Sequence, residues 1–103
     1  MKKKQDEGIE VVLPASQTKP AEYIREFKTK LGLNVKIRKA YGKDSIAMSR
    51  LMKGDTALMT AAMMSVICEF NGQKMTMEAT QDDMDMRDFN EIASELYRLG
   101  FLG

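Results

Sequence analysis

The run Asp55–Phe70, DTALMTAAMMSVICEF, constrains this chain more than any other stretch. A helix-capping acid opens it, and almost everything after is apolar: Leu58, Met59, Ala61, Ala62, Met63, Met64, Val66, Ile67, Cys68 and Phe70. A helix on the surface of a small protein keeps one polar face. A chain of 103 residues has a small core, and few helices can be wrapped on all sides within it. This helix is therefore either the centre of a compact bundle or a surface for another protein.

The flanking pattern predicts a mainly α fold: a small helical domain of about four helices with one or two short N-terminal strands. Residues 1–8 read as a polar, flexible tail, and residues 9–103 as a single helical domain. Within it, IEVVL (residues 9–13) is a strand candidate stopped by Pro14. Thr18 caps a first helix over residues 20–31, with Tyr23, Ile24, Phe27 and Leu31 as its apolar stripe and Gly32 as its stop. VKIR (35–38) alternates as a short half-buried strand. Asp44 caps a second helix over residues 45–53, with Ile46, Met48, Leu51 and Met52 on its apolar face. Gly54 and Asp55 then force a tight corner into the third helix. Asn71-Gly72 is a strong turn signal, read here as the end of that helix. A short helical turn lies around residues 77–80. A last helix begins at Asp85, with Asp88 placed as in a capping box and Phe89, Ile92, Ala93, Leu96 and Leu99 as its buried stripe.

Little in the composition supports catalysis. The chain has no histidine, so the commonest general base and transition-metal ligand are both missing. Asp82, Asp83, Asp85 and Asp88 read as acids complementing a helix N-terminus; their spacing is not that of an EF-hand loop. Gly42-Lys43 lacks the upstream glycine of a phosphate loop. The single cysteine, Cys68, reads as a small buried hydrophobe. The expectation is a non-enzyme with no cofactor and no metal. No apolar run is long enough for a membrane span or a signal peptide, which points to the cytoplasm.

Charge is uneven. Residues 1–40 carry ten Lys/Arg against five Asp/Glu, and residues 41–103 carry six against ten. A strip of Lys36, Arg38, Lys39, Tyr41 and Lys43 supports an alternative reading, a small nucleic-acid-binding regulator. Against it, the third helix has almost no polar, basic outward positions with which to read DNA. The ten methionines fit either a helical core or a surface that adapts to partners.

From Val35 onward, about two thirds of the chain, the sequence resembles the tail assembly chaperones of long-tailed bacteriophages and prophages. The matching pieces are VKIRKAYGKD, with its Arg-x-x-x-Gly-x-Asp spacing, the helical pair SIAMSRLMKGDTALMTAAMMSVICEF, and NGQKMTMEATQDDMDMRDFNEIASELYRLGFL. The resemblance implies a non-enzymatic, cytoplasmic protein of the bacterial host that binds the tape-measure protein, keeps it soluble and helps recruit tail-tube protein. Such chaperones are absent from the finished particle, and many are also made in a longer, frameshifted form. A chaperone of this kind needs an apolar groove for helical clients. Met59, Met63, Met64 and Ile67 are the candidate floor, and Phe89, Ile92 and Leu96 the candidate wall. A homo-oligomer is expected, without membrane or nucleic-acid partners.

Overall fold

The computed structural model describes residues 21–102. The expected tail (1–8), the strand candidate (9–13) and the Thr18 cap lie outside the described residues. The elements run β1 (Tyr23–Lys28), β2 (Asn34–Arg38), α1 (Gly42–Met52), a 3-10 turn (Thr56–Leu58), α2 (Met59–Ile67), β3 (Cys68–Phe70), α3 (Met77–Asp82) and α4 (Met86–Arg98). Among the described residues, four helices join a three-stranded antiparallel sheet of order β1-β2-β3. The fold is thus mixed α/β rather than mainly α.

The extra strand content comes from two segments expected to be helical. The first is Tyr23–Lys28, predicted as part of a helix over residues 20–31. YIREFK places apolar residues where either period can use them, and its aromatic and β-branched residues favour a pleated surface. Pairing with β2 decides the matter: Arg25, Glu26, Phe27 and Lys28 sit opposite Ile37, Lys36, Val35 and Asn34. Gly32, at φ +99°, belongs to the β1–β2 turn and is not a helix stop. The second is Cys68–Phe70, predicted as the end of the third helix. Cys68 is already extended (φ −112°, ψ 153°) and pairs with Ile37, as Phe70 does with Val35.

Asn71 and Gly72 therefore do not close a helix. Both have positive φ, 52° and 81°, as the two central residues of a tight hairpin turn require. Phe70 and Gln73 exchange backbone hydrogen bonds across the turn, at 2.7 and 3.0 Å.

The inward sheet face, Val35, Ile37, Cys68 and Phe70, packs with Met63, Met64 and Ile67 of α2 and Ile92 and Leu96 of α4. On the other side of α2, Ala61 and Ala62 form a second cluster with Met77 of α3, against which Met48, Leu51 and Met52 of α1 pack. Every residue from Ala61 to Ser65 is buried. The all-round apolar helix is therefore the central element, enclosed by the sheet and the other three helices. The α4 stripe behaves as expected: Ile92 and Leu96 are fully buried, with Phe89, Ala93 and Leu99 packed beside them.

Candidate functional site: a methionine-lined groove

Two helix faces meet at the Gly54–Asp55 corner. Lys53 (φ 51°) and Gly54 (φ 85°) reverse the chain, and Asp55 accepts the Ala57 N–H at 3.0 Å to start the next turn. On α1, Ser45, Met48, Ser49 and Met52 line one face; on α2, Met59, Met63 and Ile67 line the other. Spacings of three, four and seven residues on α1, and of four and eight on α2, bring each set to one side of its helix. The faces diverge around a groove of about 410 Å3.

The far end is closed by the chain's C-terminal turn. The Gly100 N–H donates to Tyr97 O and the Phe101 N–H to Leu96 O, both at 3.0 Å. This is the Schellman pattern, with Gly100 at φ 91°. It ends α4 and delivers Phe101 to the groove wall. Tyr41, at the head of α1, stands at the rim, 45% exposed.

Arg38 ties the head of α1 to the end of α2. Its guanidinium donates to both carboxylate oxygens of Asp44 (3.1 and 2.8 Å) and to Val66 O (3.0 Å). Asp44 also accepts the Tyr41 N–H at 2.8 Å, so it is a third-position acid reaching back to the start of the helix and not the cap itself. The Arg38 bond holds the Asp44 carboxyl below its usual pKa range, against the opposing effect of burial. Lys74 Nζ adds a second donor to Val66 O, at 2.8 Å. The Arg-x-x-x-Gly-x-Asp spacing singled out in the sequence is the spacing of this ion pair.

Of the seven candidate binding residues, Met59, Met63 and Ile67 line the groove. Met59 is the most open, at 38% exposure; Met63 and Ile67 form the floor with little exposed area. Met64 is fully buried in the main core and presents nothing to solvent. Ile92 and Leu96 are likewise core, and Phe89 lies at a separate hollow between α3 and α4. The wall is therefore built by α1 and Phe101, because Ile92 and Leu96 of α4 are buried in the main core with the sheet. Met48 and Met52 could be found in the sequence as an apolar helical face; the return of Phe101 could not.

The basic strip is largely engaged within the protein. Besides Arg38, Lys36 sits over the Tyr23 ring (5.0 Å) and Lys39 over the Tyr41 ring (5.5 Å). The Cys68 thiol is buried and pushed up to about 12 by desolvation, so it is a packing group and not a nucleophile. Among the described residues, no helix is long and apolar enough to cross a membrane.

No protein-family model matches the chain, and neither curated proteins nor solved structures gave a match.

Proposed function

We propose that this chain is a non-enzymatic tail assembly chaperone of the phage and prophage type, holding an apolar helical segment of its client in the α1–α2 groove. One observation carries the reading: Met48, Met52, Met59 and Met63 converge on a single open groove. Methionine side chains are flexible and polarizable, so one groove can repack around differing apolar sequences. Eleven residues of α1 give a wall roughly 16 Å long, enough for two to three turns of a client helix. Such a client would present apolar residues at i, i+3 or i+4, and i+7. The sequence resemblance supplies the client class, the tape-measure protein with tail-tube protein as a further partner.

The test is fluorescence anisotropy with labelled amphipathic peptides cut from a tape-measure protein. Binding is expected for the intact chain and a loss of at least ~10-fold for Met59→Asp, which puts a charge into a desolvated apolar contact. Binding that ignores Met59→Asp, or no binding at all, counts against the reading.

A further inference from the structure

We propose that two copies of this chain associate through a second surface, in which the β1–β2 turn of one copy enters the α3–α4 hollow of the other. The turn is a stiff, basic knob with an apolar tip. Leu31 is 48% exposed, and Lys28 and Lys30 beside it are also exposed. Thr29, only 3% exposed, anchors the turn: its carbonyl accepts the Gly32 N–H at 2.9 Å and its hydroxyl accepts the Leu33 N–H at 3.0 Å. The Lys30 N–H donates to Glu91 of α4 at 3.1 Å. The tip is thus presented in one shape and loses little freedom on docking.

The hollow has the complementary character. It is an open hollow of about 330 Å3 bordered by Met84, Met86 and Phe89, with Thr80 and Gln81 completing the lining. Met86 is 73% exposed, an unusual position for a large apolar side chain. The exposed acids Asp82 and Asp83 lie in the chain between Gln81 and Met84, both of which line the hollow. Leu31 fits the lining, and Lys28 and Lys30 fit Asp82 and Asp83.

Knob and socket also lie on either side of the first turns of α4. Leu31 and Lys30 border a depression of about 680 Å3 with Arg87 and Asn90, while Met86 and Phe89 line the smaller hollow. The proposed dimer has a two-fold axis between two α4 helices, each turn filling the other copy's socket, which closes the assembly at two copies.

Sedimentation equilibrium tests this with two charge-reversed chains. One carries Lys28→Glu and Lys30→Glu, the other Asp82→Lys and Asp83→Lys. The intact chain is expected to be a dimer that weakens with salt. Each variant alone is expected to weaken dimerisation at least ~10-fold, since like charges then face each other. Mixing the two variants is expected to restore it, because both contacts of the mixed pair are again opposite in sign. Circular dichroism checks that each variant is folded, and Leu31→Asp gives an independent disruption of the tip. A monomeric intact chain overturns the proposal. So does a dimer indifferent to these changes, a mixture that fails to recover, or a mass that keeps growing with concentration. The methionine groove takes no part, so peptide binding there and dimerisation here can fail separately.

Discussion

The Arg38 guanidinium sits where β2, α1 and the end of α2 meet, and it bonds to Asp44 and to Val66 O. Alternation along VKIR predicts an outward Arg38 in a basic strip, because it says which way a strand residue starts and not where a long side chain ends. Asp44→Ala is expected to cost about 2–3 kcal/mol in urea unfolding, less than the ~3–5 kcal/mol of a fully buried pair, since the Arg38 side chain is 22% exposed. The pH dependence follows from the depressed Asp44 pKa. The carboxylate's contribution is complete above its unfolded value of 3.8 and is lost as pH falls through its lower folded value. The gap between the intact chain and Asp44→Ala should therefore hold at neutral pH and narrow below about pH 4. Glu95, depressed by Arg25 and Arg98, adds acid sensitivity of the same sign, which Asp44→Ala leaves in place. Cys68 gives a second residue-level check. Its buried thiol, pushed up to about 12, should resist iodoacetamide at neutral pH in the folded protein and react once urea unfolds it.

At the scale of elements, the central helix divides into groove and core, and two substitutions separate them. Met64→Ala, at a fully buried position, is expected to cost about 2–4 kcal/mol, and Met59→Ala, at the groove, under ~1 kcal/mol. Equal costs in thermal or chemical unfolding would contradict the division. The same helix illustrates what local pattern conveys. Its apolar character is legible, as are α1, β2, α3 and the α4 stripe; its start is displaced, because Asp55 caps a 3-10 turn and the α-helix begins only at Met59. Its end is not legible, because ICEF satisfies helical and strand periods alike until β2 supplies pairing partners for Cys68 and Phe70. Asn71-Gly72 was a turn in either case; which kind depended on the residues before it. YIREFK posed the same ambiguity, and β2 resolved it as well.

For the whole molecule, the contrast between packed core and open groove falls within one helix. Most of α2 is enclosed by sheet, α1, α3 and α4, while Met59 and Met63 border an opening shared with Met48 and Met52. Met59, Met63 and Ile67, grouped by helical spacing in the sequence, do line one groove. The wall could not be read that way, because it depends on which helix α4 packs against and on a C-terminal turn carrying Phe101 about 40 residues from Met59. The most direct test of the groove reading is methyl NMR of methionine-labelled protein titrated with an amphipathic tape-measure peptide. Saturable shifts are expected at Met48, Met52, Met59 and Met63, with Met84 and Met86 unmoved. Saturable binding that shifts Met84 and Met86 while leaving the four groove methyls in place, or no shifts at all, would contradict the groove reading.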